Sequence, residues 1–69
     1  MEQEESKRVL SECIQQLPDR ERAVVTMYYL DDLRLKEIGE VIGRSEARVS
    51  RILAKAEYRL KELVRARTS

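Results

Sequence analysis

Basic side chains recur at helical spacing in the second half of the chain. Arg48, Arg51, Lys55 and Arg59 follow one another at intervals of three and four residues, and Arg44 lies just before them. That spacing places side chains on one face of an α-helix. Lysine and arginine bind phosphates, and arginine can also donate two hydrogen bonds to the edge of guanine. The pattern indicates either a surface that binds nucleic acid or an ordinary solvated helix face.

Residues 35–52 have the spacing of a helix-turn-helix, which would position this basic stripe. Gly39 interrupts an apolar helix, where glycine costs about 1 kcal/mol, so we expect a close approach of the two helices to offset that cost. Gly43 falls where the first helix ends in the left-handed conformation that glycine adopts cheaply. Ser45 is expected to cap the second helix by accepting from amides near Arg48. The motif favours duplex DNA binding, and the alternative is a plain helical hairpin in a small bundle.

The charges are divided unevenly along the chain. Residues 1–33 hold four Lys/Arg against eight Asp/Glu, a net of minus four, and residues 34–69 hold ten against five, a net of plus five. The second half is therefore the one suited to meet an anion. If the stripe were only a solvated face, Glu46, Glu57 and Glu62 on the same helix would pair with it.

Composition excludes several other classes. The chain has 69 residues, which predicts one domain with a small core, and it has no histidine and a single cysteine, Cys13. We therefore expect no metal site, no disulfide, no cofactor and no catalytic residue. Cys13 is predicted to be a small buried hydrophobic residue. The absence of a long apolar run and of a signal peptide predicts a cytoplasmic protein without membrane contact.

The sequence predicts an all-α fold, a small four-helix domain containing a helix-turn-helix with a long C-terminal recognition helix. The predicted helices run from about Glu4 to Gln16, from Pro18 to about Tyr29, from Leu35 to Ile42, and from Glu46 to about Arg65. Residues 30–33 are predicted to form a turn and residues 66–69 to fray. Met27 and Tyr29 are expected on a flank, with the Tyr29 hydroxyl in water. The inward-facing side chains are predicted to be Leu10, Cys13, Ile14, Leu17, Val24, Val25, Tyr28, Ile38, Ile42, Val49, Ile52, Leu53, Ala56, Leu60, Leu63 and Val64.

Four stretches, Leu17–Arg22, Tyr28–Tyr29, Leu35–Gly43 and Ser45–Ser50, resemble the fourth conserved region of bacterial sigma factors, nearest to the flagellar and sporulation class. The resemblance covers about residues 17–63, with its motifs in order. It implies that the last helix enters the major groove of the minus-35 promoter element while the domain docks on RNA polymerase through the flap of the beta subunit. Promoter opening would belong to another sigma region. We accordingly expect residues 1–69 to be a single domain from the C-terminal end of a longer sigma factor.

The resemblance also implies which residues contact DNA. Phosphate-binding positions are matched by Ser45, Arg48 and Lys55. The start of the third helix, which approaches the DNA backbone through its amides and dipole, is matched by Leu35 and Lys36. Positions that reach base edges are matched by Glu46, Ala47 and Arg51, with Ser50 beside them.

Four positions depart from the family pattern. Arg51 stands where glutamine is usual, which shifts the expected base preference toward guanine. Arg44 replaces a valine in the turn, and Arg34 replaces the threonine that caps the third helix, a loss of about 1 kcal/mol. Both changes add positive charge near the DNA. Leu53 replaces a polar residue and widens the apolar stripe.

Two alternatives of other classes stay open. In a protein-interaction module, Leu53, Leu60, Leu63 and Val64 would pair with a second copy or with an anti-sigma factor. A stand-alone helix-turn-helix regulator would need a dimer interface, for which the sequence offers no extra helix. The turn favours DNA binding, because an interaction helix does not need two glycines and a capped N-terminus.

Overall fold

The computed structural model describes the backbone of residues 2–68 and the side chains of residues 7–67. Within this part of the chain there are four α-helices, one π-helical segment and no strand. The helices are α1 (Glu2–Gln15), α2 (Asp19–Val25), α3 (Leu35–Ile42) and α4 (Glu46–Thr68), and the π segment is Thr26–Leu30. The predicted all-α fold is confirmed.

Helix α4 is longer than its sequence suggested. The prediction that residues 66–69 fray is wrong for residues 66–68, because the helix continues to Thr68. Near its end, Arg67 forms an ion pair with Glu12 of α1. Ser69 lies outside the described residues. The predicted bounds of α3 are confirmed, and α1 begins two residues before the predicted start and ends one residue before the predicted end.

The second helix changes its winding part-way along. Pro18 precedes its first residue with an extended ψ of 151°, so the proline lies just outside the predicted first turn. After Val25 the chain continues as the π segment, whose wider winding the apolar spacing did not predict. The amide of Asp31 donates to the carbonyl of Thr26 at 3.0 Å, five residues back. The following Asp32 has a positive φ of 59°, which ends the helical winding.

All four helices contribute side chains to one core. Helix α4 packs against all three shorter helices, α1, α2 and α3. Cys13 is fully buried and unbonded to another cysteine. The rest of the core consists of Ile14, Leu17, Val24, Val25, Ile38, Val49, Ile52, Leu53 and Ala56.

Two predicted core residues lie at the surface instead. Leu10 is 44% exposed and Tyr28 is 36% exposed. Leu10 lines an open apolar groove between α1, the π segment and α4. Leu10 lies on the same side of α1 as the buried Cys13 and Ile14, but the open groove there leaves it partly exposed.

No described helix is both long and apolar enough to cross a bilayer. Among residues 7–67, acidic and cysteine side chains nowhere form a group of three that would hold a metal ion.

Candidate nucleic-acid interface

The turn between α3 and α4 is built on two glycines. Gly43 ends α3 with φ 70° and ψ 40°, the left-handed conformation that was predicted for it. The amide of Arg44 then donates to the carbonyl of Gly39 at 2.9 Å, which folds the chain back over α3. A Cβ atom at Gly39 would lie 2.5 Å from the carbonyl oxygen of Arg44. The close approach predicted at Gly39 therefore exists, but its partner is the turn backbone and not the opposite helix.

Ser45 caps α4 as predicted. Its Oγ accepts a hydrogen bond from the backbone N–H of Arg48 at 3.1 Å, which satisfies one of the free amides of the first turn. Glu46 lies in that first turn, where a carboxylate complements the positive end of the helix dipole. The first turn of α4 is thus stabilised by these local interactions, and the side chains that point outward from it are not needed to cap the helix.

The N-terminus of α3 keeps part of its cap although Arg34 replaces the usual threonine. The carboxylate of Glu37 accepts a hydrogen bond from the backbone N–H of Arg34 at 2.8 Å, which is one half of a capping box. The Arg34 side chain makes no cap bond. Of the two predicted contact residues here, Lys36 is exposed, whereas Leu35 is half-buried and packs against the core. Leu35 can therefore offer DNA its backbone amide more readily than its side chain.

The outward face of α4 carries the predicted contact residues. Its inward face is defined by the buried Val49, Ile52 and Ala56. Since successive residues are about 100° apart around a helix, Arg51 lies about 160° round from Val49. The predicted residues of the turn and of α4 are all exposed, namely Arg44, Ser45, Glu46, Ala47, Arg48, Ser50, Arg51 and Lys55. The structure brings these eight together on one surface, which we call the basic face.

The cations of the basic face are not neutralised by the acidic residues of the same helix. The side chains of Arg48, Arg51 and Lys55 make no ion pair or hydrogen bond with any other side chain among residues 7–67. The carboxylate of Glu57 accepts from the hydroxyl of Tyr29, and Glu62 lies 3.7 Å from Arg65. Arg44 donates to the carbonyl of Gly43 at 3.0 Å, so its charge also stays uncompensated.

Arg59, predicted to continue the basic stripe, has another role. Its Nε lies 3.0 Å from a carboxylate oxygen of Glu21 on α2. Glu21 is buried, with 8% of its surface exposed. A buried carboxylate requires a compensating charge, and Arg59 supplies it. Arg59 is thus exposed on α4 as predicted, but its charge is compensated within the described residues, unlike the charges of Arg48, Arg51 and Lys55.

Comparison with known proteins identifies the family. The model of the family described as sigma-70, region 4 matches residues 13–62, more than two thirds of the chain. The chain belongs to the sigma-70 region 4 family. Its relatives include RNA polymerase sigma factor FliA of Pseudomonas aeruginosa, 47% identical over 58 residues, which are 84% of this chain and 24% of the relative. No solved structure matches the chain significantly.

Two further relatives place this region 4 domain in the flagellar class. FliA of Escherichia coli K12 is 48% identical over 50 residues, which are 72% of this chain and 21% of the relative. RNA polymerase sigma-D factor of Bacillus subtilis is 42% identical over 55 residues, which are 80% of this chain and 22% of the relative. The chain thus spans between a fifth and a quarter of the length of these relatives. Sigma region 4 is a regulatory DNA-binding family and not an enzyme family.

In this region 4 domain, Tyr29 links the π segment to α4. Its hydroxyl donates a hydrogen bond to the carboxylate of Glu57 on the exposed surface, a partner that the sequence did not predict. That bond raises the pKa of Tyr29 from 10.0 to about 12, and partial burial and the negative charge of Glu57 act in the same direction. The ring meets Tyr28 edge to face, with centroids 4.9 Å apart. The sequence gives no direct signal for this contact, because Tyr29 and Glu57 are 28 residues apart.

An apolar groove lies beside this contact and apart from the helix-turn-helix. It has a volume of about 440 Å³ and is lined by side chains of α1, the π segment and α4. Leu30 is its most exposed apolar residue, at 69%. Leu53, which was expected to offer apolar surface to a partner, is only 7% exposed and belongs to the core. The sequence-based prediction of a protein-binding surface is therefore wrong at Leu53.

Proposed function

We propose that this domain binds the minus-35 promoter element sequence-specifically, as the C-terminal domain of an RNA polymerase sigma factor that directs transcription initiation. The observation that supports the proposal is the basic face. Arg48, Arg51 and Lys55 are exposed and uncompensated on the first three turns of α4, directly after a glycine turn and a serine cap. A recognition helix that enters the major groove needs exposed polar and basic side chains near its N-terminus, because those residues contact the bases and phosphates.

Within this proposal the side chains divide by the kind of DNA atom they reach. Arg51 lies opposite the core and is placed to bind guanine O6 and N7 with two donors. Arg48 and Lys55 lie on one flank of that line and neutralise phosphates, together with the Ser45 hydroxyl. Glu46, Ala47 and Ser50 complete the base-reading side, and Arg44 and Lys36 add positive charge beside the groove. These roles remain predictions from residue type and position.

The proposal is tested by fluorescence anisotropy with a labelled minus-35 duplex and with single-base variants of it, over a series of salt concentrations. Arg51→Ala is expected to relax discrimination at one base step by about 1–3 kcal/mol. Lys55→Ala is expected to weaken every duplex alike and to reduce the slope of log K against log salt by about 0.9. The matched control is Arg65→Ala, because Arg65 is an exposed cation on the same helix about 21 Å from Arg51.

Two results would count against the assignment. Equal losses for Arg51→Ala on all duplexes would remove its base-reading role. Equal effects of Arg65→Ala and Lys55→Ala would show that the domain responds only to total charge, and the basic face would then be a solvated surface.

We further propose that the apolar groove is where the domain docks on RNA polymerase, through the flap of the beta subunit. The relatives are named RNA polymerase sigma factors, and the groove offers exposed apolar side chains that neither the core nor the basic face uses. An anti-sigma factor is a further predicted partner.

Leu30→Glu is expected to weaken binding of an isolated beta-flap fragment at least tenfold in calorimetry, because a carboxylate would be desolvated in an apolar contact. Val41→Glu is the matched control, since Val41 is equally apolar and 66% exposed on α3, outside the groove. If both variants lost the same affinity, or neither did, the docking assignment would fall.

A further inference from the structure

Tyr58 lies on the outermost line of α4, and its hydroxyl forms none of the hydrogen bonds described within the fold. The side chains farthest from the buried line of this helix are those of Ala47, Arg51, Ala54 and Tyr58, which repeat at intervals of three and four residues. Tyr58 is 68% exposed. Its hydroxyl makes no hydrogen bond with any other residue whose side chain the structure describes. A large side chain with a free donor thus continues the line that Arg51 occupies.

The position of Tyr58 along the helix suits a contact at the edge of the groove. It lies about 10.5 Å beyond Arg51 and about 4.5 Å beyond Lys55 along the helix axis. Ala54, one turn before Tyr58 on the same line, is small and exposed, so it leaves Tyr58 accessible from the DNA-binding half. The major groove is about 12 Å wide, so a helix with Arg51 at its floor brings Tyr58 to the wall where the phosphates run.

The ring of Tyr58 lies beside apolar side chains, and its hydroxyl stays exposed. Tyr58 borders a shallow hollow that Leu17, Pro18 and Leu63 also line, on the side of the junction between α1 and α2. The hollow does not enclose the ring, as the 68% exposure shows. An aromatic body with a wet hydroxyl at its tip is suited to donate to a charged acceptor.

We propose that Tyr58 donates a hydrogen bond from its hydroxyl to a phosphate oxygen of the promoter duplex, next to the phosphate held by Lys55. This inference rests on the proposed DNA-binding function and extends its surface by one helical turn. Because tyrosine is uncharged, the contact adds affinity without releasing a counterion. It carries no base information, because every nucleotide presents the same phosphate.

The experiment compares Tyr58→Phe with the unsubstituted domain in fluorescence anisotropy on the same duplexes and salt series. We expect an affinity loss of about 3- to 10-fold, the worth of one exposed hydrogen bond, equal on all base sequences and with an unchanged salt slope. Tyr28→Phe is the matched control, since it removes the same atom from another exposed tyrosine outside α4, and it is expected to leave affinity unchanged. Thermal melting of each variant checks that the fold is intact.

A scan with single methylphosphonate substitutions, which remove the charge of one phosphate at a time, locates the acceptor. At one position, next to the one that responds to Lys55→Ala, the Tyr58→Phe loss is expected to disappear. A domain that binds and weakens with Lys55→Ala but not with Tyr58→Phe overturns the inference and leaves the proposed function standing. A loss that depends on base sequence, or that persists at every methylphosphonate, also overturns it. Failure of the unsubstituted domain to bind any duplex removes the proposed function and this inference together.

Discussion

At the scale of single residues, the turn before α4 depends on the absence of a Cβ atom at Gly39. Alanine there would gain about 1 kcal/mol of helix propensity, but its methyl carbon would meet the Arg44 carbonyl oxygen at 2.5 Å. A backbone oxygen cannot rotate away as a side chain can. Gly43 is different, because a Cβ there would meet nothing within 4 Å and the cost comes only from its φ of 70°.

We therefore expect Gly39→Ala to lower the free energy of unfolding by about 2 kcal/mol, an overpacking cost, and Gly43→Ala to lower it by about 1 kcal/mol. Urea unfolding followed by circular dichroism measures both. If Gly39→Ala unfolded at the same or a higher urea concentration than the unsubstituted domain, the close approach of the turn backbone to Gly39 would not be what requires glycine there.

The residues of the turn are also those that the sequence predicted best. Gly39, Gly43 and Ser45 each have a local steric or hydrogen-bonding reason that involves neighbours within six residues. Arg59 has no such local reason. Its partner Glu21 is 38 residues away, so helical spacing alone could not show that the charge of Arg59 is compensated.

At the scale of elements, the two halves of α4 have different surroundings. The C-terminal half is bonded to three of the preceding elements, through Arg59 to α2, through Arg67 to α1 and through Glu57 to Tyr29 of the π segment. The N-terminal half packs its apolar side on the core and leaves its cations free. These bonds occupy charged and polar groups of the C-terminal half, whereas Arg48, Arg51 and Lys55 of the N-terminal half have no such partner among residues 7–67.

The bond between the π segment and α4 has a signature at alkaline pH. Tyr29 has a pKa of about 12 when folded, against 10.0 ordinarily, so the group favours the folded state fully below pH 10. That contribution is lost as the pH rises through about 12, because the unfolded chain ionises first. Ultraviolet titration of tyrosinate is expected to show a late step near pH 12 that belongs to Tyr29.

The late step should vanish in Tyr29→Phe, move to lower pH in Glu57→Gln, and persist in Tyr28→Phe. A late step that survives Tyr29→Phe would show that another tyrosine carries it, and the Tyr29–Glu57 bond would then not exist in solution.

The elements also show where periodicity stops being informative. Apolar spacing predicted the four helices and most of the core, since burial of one face is what makes each short helix stable. It did not predict the π segment, because a change of hydrogen-bond partner over five residues leaves the apolar spacing almost unaltered. Nor did it predict that Leu10 and Leu30 border a groove, because spacing reports the side that faces a neighbour and not the distance to it.

At the scale of the whole molecule, the acidic first half and the basic second half of the chain contribute to different parts of the folded surface. The excess of five positive charges in residues 34–69 comes from α4 and from the exposed Arg34 and Arg44, whereas α3 itself carries a net charge of minus one. The acidic first half supplies Glu12 and Glu21, which compensate cations at the far end of α4. A core of ten buried apolar side chains is small, so the stability of the domain is modest and a ligand that binds only the folded state raises it measurably.

If the basic face binds a duplex, that duplex should raise the melting temperature. At a free concentration of about 100 times Kd, the linkage adds about 2.7 kcal/mol, which corresponds to roughly 10–20 °C for a domain of this size. Differential scanning calorimetry with and without the minus-35 duplex measures the shift. Lys55→Ala should reduce it and added salt should diminish it, whereas Arg65→Ala should leave it unchanged. If both variants lost the melting-temperature shift equally, binding would depend only on the net charge of the domain. Specific binding through the basic face predicts a difference, because Lys55 lies on that face and Arg65 lies about 15 Å further along the helix.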